Sequence, residues 1–186
     1  MKTDTDFGRE VQQRSGQNIQ RCYQCLKCFV GCPVSRYMDW KPNTVIRMIQ
    51  YGQREKVLKS RAIWLCVSCM TCGARCPNEI DMSTVFDTLR EMSIEAGCAY
   101  AGDKSIVLLH EEFVKSVERW GRLHEATFFI PYMIRTLDFF SNMGSGMALM
   151  ARGKLPFIPK QIRGIEEIWK LYDEAYKTKG QLAGKE

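Results

Sequence analysis

Two stretches, CYQCLKCFVGCP at Cys22–Pro33 and CVSCMTCGARCP at Cys66–Pro77, hold eight of the nine cysteines of this 186-residue chain. Both read C-x2-C-x2-C-x3-C-P, and the second repeats the first at an offset of 44 residues. Three thiols three residues apart crowd a tight loop. The fourth lies beyond the turn, and the proline after it prevents the loop from simply continuing. Any fold adopted by this chain must therefore accommodate two dense thiol sets of the same design.

Compartment decides what the thiols are for. The N-terminus, MKTDTDFGREVQQRSGQ, has neither an apolar stretch nor a small-residue cleavage site, so no secretory signal is expected. A cytoplasmic location keeps thiols reduced and argues against a disulfide framework, as does the odd number of cysteines. Metal or cofactor ligation is the favoured use. Zinc also takes Cys-x2-Cys pairs, but it needs two pairs per site and leaves the third cysteine of each run unexplained. Three closely spaced thiolates plus a remote fourth suit a four-iron cubane, and in two-cluster ferredoxins the fourth cysteine ligates the other cluster. The expectation is two [4Fe–4S] clusters with crossed ligands. Cys22, Cys25, Cys28 and Cys76 hold one; Cys66, Cys69, Cys72 and Cys32 hold the other.

The remaining composition is that of a soluble globular protein, with 45% hydrophobic and 26% charged residues. The longest uncharged run, Phe139 to Ala151, has 13 residues broken by Ser, Asn and Gly, so no membrane span is expected. The formal net charge of +6 counts every cysteine as neutral. Two oxidised clusters with eight thiolates would bring it to roughly +2. Lys and Arg are spread without a dense tract, so a nucleic-acid footprint is not expected. Lys27, Arg36, Lys41 and Arg75 lie near the cysteine runs and read mainly as solvated charges.

Three regions follow: a polar arm at 1–21, a two-cluster module at 22–98, and a cysteine-free helical extension at 99–186 for docking to other subunits. The arm is partly helical from Phe7 to Gln13, before Ser15-Gly16. Each cysteine run is followed by a helical signal. Val45, Ile46, Met48 and Ile49 follow the first, with Pro42 in the opening turn and Gly52 weakening the far end. Met82, Val85, Phe86, Leu89, Met92 and Ala96 follow the second, with Asp81 as N-cap and Gly97 as a stop. Further helices are predicted over Asp103–Trp120, His124–Phe140 and Ile165–Tyr176, with loops at Gly144–Gly146 and Gly153–Pro159. Alternating strands are absent, so the fold class is mainly α, an alpha-helical two-cluster ferredoxin module with helical extensions.

Cys98 reads as a small buried hydrophobe, His110 and His124 as structural, and Trp40, Trp64, Trp120 and Trp169 as core or interface. No Gly-rich dinucleotide or phosphate loop, nucleophile elbow or H-E-x-x-H is present, so the chain owns no evident substrate site.

CYQCLKCFVGCP, KPNTVIRMIQYG, LKSRAIWLCVSCMTCGARCP, VFDTLREMSIEAG, GRLHE and GKLPFIPKQIRGIEEIW together resemble the small iron–sulfur C subunit of heterodisulfide reductase, over most of the chain. The same module occurs in succinate dehydrogenase and fumarate reductase iron–sulfur subunits. These carry a [2Fe–2S] domain upstream, for which 21 residues leave no room. Glycolate, lactate and glycerol-3-phosphate oxidoreductase subunits fuse the module to a Cys-Cys-Gly domain, which only Cys98 would be left to supply. The resemblance implies a non-catalytic electron-transfer subunit in anaerobic metabolism. It would relay electrons from the flavin- and iron–sulfur-containing A subunit of such a complex to its disulfide-reducing Cys-Cys-Gly B subunit, with all eight paired cysteines as ligands. A free ferredoxin, an iron–sulfur subunit of a quinone-linked membrane enzyme and a zinc-stapled interaction module are the alternatives.

Overall fold

A computed structural model describes residues 4–137, 152 and 159–183. It is helical throughout, with no strand among the described residues. The chain divides into two compact units, Met1–Val107 and Leu108–Glu186.

The first unit is organised by three helices, α1 (Phe7–Ser15), α3 (Pro42–Gln50) and α7 (Met82–Glu95), of which α1 packs on both α3 and α7. In α3, Val45, Ile46, Met48 and Ile49 are buried, as their spacing predicts, and Pro42 occupies the first turn. Each such side chain contributes about 2 kcal/mol of transfer free energy. Gly52 ends this segment at φ +66°, where a Cβ would run into the backbone of Asp4. In α7, Val85, Phe86, Leu89 and Met92 face the same core. Asp81 caps this helix, accepting from the Ser83 N–H at 2.9 Å and from the hydroxyls of Ser83 (2.5 Å) and Thr84 (2.9 Å). Ala96 closes it, with Gly97 left-handed at φ +65°.

The polar N-terminal stretch is anchored more firmly than its composition suggests. Phe7 and Val11 are fully buried against α3 and α7, and the helix runs on to Ser15 before Gly16 turns left-handed. Arg54 ties it down further through ion pairs with Asp4 at 2.7 Å and with Glu10.

Between the repeats lie two short helices, α4 (Arg54–Leu58) and α5 (Ala62–Leu65), and the cysteine runs themselves carry α2 (Lys27–Val30) and α6 (Thr71–Ala74). Asp39 starts α5. Its carboxylate accepts from the backbone N–H of Arg61 (2.9 Å) and Ala62 (2.7 Å) and from the Ser60 hydroxyl at 2.9 Å. Cys98 is half-buried against the core.

The helix α8 (Ala99–Trp120) has a non-helical Asp103 (φ −154°, ψ 98°), whose carboxylate caps the longer stretch by accepting from the Ile106 N–H at 3.2 Å. In the second unit, α9 (Glu125–Thr136) is capped by the His124 ring, which accepts from the Thr127 N–H at 3.3 Å. His124 is buried and its own backbone N–H donates to the Ser116 hydroxyl at 3.0 Å, whereas His110 is exposed. Arg135 of α9 bridges Glu111 and Glu112 at 2.8 and 2.7 Å. The last helix, α10 (Ile165–Ala183), runs past the Tyr176 end expected from its stripe, and Trp169 donates to the Glu118 carbonyl at 2.8 Å. Of the four tryptophans, Trp64 is buried, while Trp40 and Trp169 are 40% and 43% exposed. The last residues of the expected His124–Phe140 helix, and most of the two glycine-marked loops, lie outside the described residues. No helix among the described residues is long and apolar enough to cross a membrane.

Candidate metal centre

The two cysteine runs share one backbone path. Gln24 (φ 58°) and Leu26 (φ 65°) in the first correspond, 44 residues on, to Ser68 (φ 49°) and Met70 (φ 59°) in the second. All four are left-handed, none is glycine, and each placement costs of order 1 kcal/mol. The strain turns the chain tightly around the second cysteine of each run and then starts a one-turn helix. Chain segments that alternate between left- and right-handed residues turn successive N–H groups inward, a concavity that suits anions such as a thiolate-ligated cluster. α2 and α6 pack against each other, and Gly31 faces Arg75, its own counterpart in the repeat. A Cβ at Gly31 would stand 2.7 Å from the Arg75 guanidinium.

Cys32, Cys66, Cys69 and Cys72 line a single recess that is otherwise walled mostly by apolar side chains, among them Val34, Met38, Pro42 and Phe86. This gathers the last cysteine of the first run with the first three of the second. A different contact brings the end of the second run to the start of the first. Asn78, two residues after Cys76, donates to the carbonyl of Arg21, immediately before Cys22. The Gln17 side chain accepts from the Asp81 N–H at 2.8 Å and reinforces the same approach. Cys28 has Cys22 and, from the other run, Cys72 among its near neighbours. Cys25 is exposed, and Cys76 packs half-buried against the core. Among the described residues no three His, Cys, Asp or Glu side chains form a ready single-ion site.

The protein polarises these sulfurs in specific ways. Burial pushes the Cys28 thiol up to about 11, and Cys22 and Cys72 beside it add to the rise. Burial likewise raises Cys66 and Cys72. Cys69 is lowered, first by its hydrogen bond with the Thr71 hydroxyl at 3.5 Å and then by the Thr71 N–H. Half-buried thiols of this kind give up their protons to a metal rather than to water. Four sulfurs around an apolar recess, approached by inward-turned amides, fit an iron–sulfur cluster. When bound, such a cluster supplies reversible one-electron storage.

Sequence reasoning missed the groups that support the cysteines. Gln24 Nε2 donates to Cys22 Sγ at 3.3 Å and to the Asn43 carbonyl at 3.0 Å, while Asn43 Nδ2 returns a bond to Gln24 Oε1 at 3.3 Å. Arg90 on α7 donates to the carbonyl of Ile63 at 2.6 Å and to that of Cys66, fixing the exit from α5 into the second run. Gln24 is held by Asn43 across 19 residues, and Arg90 reaches back across 27 and 24, separations that no local pattern reports.

Comparison with known proteins points to the same iron–sulfur chemistry. Residues 21–81 match the family described as a 4Fe-4S dicluster domain, the part of the chain that carries both cysteine runs. This stretch is therefore similar to iron–sulfur dicluster modules. Over a longer stretch the chain resembles C subunits of heterodisulfide reductases. It is 25% identical over 103 residues to the C subunit of the H(2):CoB-CoM heterodisulfide,ferredoxin reductase of Methanothermobacter thermautotrophicus, covering 55% of this chain and 56% of that one. It is 31% identical over 105 residues to the iron-sulfur C 2 subunit of the CoB–CoM heterodisulfide reductase of Methanocaldococcus jannaschii, covering 56% and 52%. With the C subunit of the ferredoxin:CoB-CoM heterodisulfide reductase of Methanosarcina acetivorans the identity is 32% over 89 residues, covering 48% and 36%. The matched region thus spans about half the length of the first two relatives and about a third of the third.

Proposed function

We propose that this chain is an electron-relay subunit holding two [4Fe–4S] clusters, and that it works in the cytoplasm within a heterodisulfide-reductase-like complex. The observation that carries the reading is the recess lined by Cys32, Cys66, Cys69 and Cys72, which draws on both runs. It favours crossed ligation, with Cys22, Cys25, Cys28 and Cys76 as the other quartet. Crossing makes each run a partial site until the other folds onto it, and it holds two clusters close enough for rapid exchange of an electron. The partial burial of Cys66 and Cys72 and the apolar walls keep water away from one cluster.

In this reading the redox partners are a flavin- and iron–sulfur-containing subunit on one side and a disulfide-reducing Cys-Cys-Gly subunit on the other. Residues 22–98 carry the clusters and 99–186 provide the docking extension. In this role its residues position sulfurs, exclude water and tune the clusters.

Metal and sulfide analysis of anaerobically purified protein tests the proposal. About eight irons and eight acid-labile sulfides per chain are expected. Zinc without labile sulfide would overturn it. Mass spectrometry of the native complex tests the partners: a flavoprotein with a Cys-Cys-Gly protein supports the relay, and a haem-bearing membrane protein points to quinone chemistry instead.

A further inference from the structure

Two sets stand out among the cations of the first unit. Arg9, Arg14, Arg54, Lys59, Arg61 and Arg90 are each paired with a carboxylate. Lys27, Arg36, Lys41 and Arg75 are exposed, and among the described residues none of them forms an ion pair. These four belong to the first cysteine run and the segments packed on it. Lys27 lies on α2. The Lys41 ammonium sits 4.1 Å over the Phe29 ring of the same helix, Arg36 lies 4.8 Å over Tyr37, and Arg75 covers Gly31.

The carboxylate balance sharpens the contrast. Between residues 21 and 47 there are five cations and one carboxylate, Asp39. That carboxylate is engaged in capping α5 and forms no ion pair with these cations. Exposed apolar side chains lie among the cations, with Tyr23 at 73% and Val30 at 75% exposure. Cations without a carboxylate partner around exposed apolar contacts are the usual composition of a transient protein-docking surface, where complementary charge sets the encounter rate. Val30 and Leu26 offer aliphatic contact, which suits a protein face better than a phosphate backbone.

We propose that the face formed by the first cysteine turn, with Lys27, Arg36, Lys41 and Arg75 around Tyr23 and Val30, docks an acidic redox protein. The proposal rests on the reading of the chain as an iron–sulfur electron carrier and adds where one partner binds and with which charge. The step it serves is the transfer of one electron between a cluster of this chain and the partner's own redox centre, with no bond made or broken. The cations hold the acidic partner with its centre close to the first run.

Stopped-flow oxidation of the reduced, cluster-loaded chain tests it, using an acidic plant-type ferredoxin as one acceptor and a basic c-type cytochrome as the other. The rate with the acidic acceptor should fall as salt rises and drop by about tenfold or more in the Lys27→Glu/Arg36→Glu/Lys41→Glu variant. The rate with the basic acceptor should rise in the same variant. Unchanged iron and sulfide content keeps the comparison valid, and the milder Lys→Gln and Arg→Gln set serves if the glutamates impair folding. A rate with the acidic acceptor that ignores both salt and charge reversal would overturn the docking surface while leaving the iron–sulfur reading intact. Tight, salt-sensitive binding of a single-stranded oligonucleotide, lost in the same variant, together with a charge-independent electron-transfer rate, would reassign the patch to nucleic acid. Wild-type protein that fails to hold iron and sulfide would instead defeat the underlying reading.

Discussion

The Gln24 side-chain amide donates to Cys22 Sγ across 3.3 Å and is held there by Asn43, which both accepts from and donates to it. The counterpart of Gln24 in the second run is Ser68, which lacks such a reach. A donor aimed at a ligating sulfur stabilises the more negative, reduced state of a cluster and raises its potential. Gln24→Leu should therefore shift one of the two cluster potentials to more negative values and leave the other in place. Potentiometric titration followed by electron paramagnetic resonance reads both. Equal shifts, or none, would show that the amide does not tune a particular cluster.

The left-handed turns give a second test. Met70 and Leu26 stand at φ 59° and 65° without being glycine. Glycine at either position removes the steric cost of this conformation, whereas a β-branched residue increases it by about 1–2 kcal/mol. Met70→Val should lower the thermal midpoint of the loaded protein and hasten cluster loss, while Met70→Gly should retain the clusters. Absorbance of the iron–sulfur chromophore during heating separates the two.

Capping by Asp81 predicts a pH dependence. Burial raises its pKa, but the hydrogen bonds from Ser83 and Thr84 outweigh that and hold it below the ordinary value of 3.8. A depressed folded pKa means that the ionised carboxylate stabilises the fold above the ordinary value, and the contribution disappears as pH falls through the folded value. Asp81→Ala should cost about 1 kcal/mol at neutral pH. The gap between variant and wild type in urea unfolding should close in strongly acidic solution. A gap that persists there would mean that the side chain acts through something other than its charge.

Asp39 offers a test of long-range positioning. It caps α5, which leads directly into Cys66, from 23 residues upstream of Ala62. Asp39→Ala should cost about 1–2 kcal/mol, and the loosened α5 should weaken retention of the cluster proposed for Cys66. Asp39→Asn keeps an acceptor and should recover part of the loss. Denaturant midpoints and iron content measure the two effects separately.

Local patterns made much of this fold legible. The stripes of α3 and α7, the Asp81 cap and the left-handed stop at Gly97 follow from periodicity and capping chemistry, because these residues act within a turn or two of themselves. The Met82–Glu95 helix needed nothing else. Other features depend on distant partners. α5 has four residues and no periodicity to read; its start is dictated by Asp39. The buried anchor of α1 arises because Phe7 and Val11 find α3 and α7, which a polar sequence conceals. The left-handed residues Gln24, Leu26, Ser68 and Met70 carry no glycine or asparagine to announce them. For the candidate site, the cysteine spacing pointed to iron–sulfur chemistry, while the supports from Gln24, Asn43 and Arg90 emerged only in three dimensions.

The crossed assignment is best tested with serine variants of single cysteines, followed by resonance spectra of the two reduced clusters. Cys32→Ser and Cys69→Ser should disturb the same signal, and Cys25→Ser and Cys76→Ser the other. If Cys32→Ser instead disturbs the signal affected by Cys25→Ser, each run holds its own cluster and the crossed account is wrong.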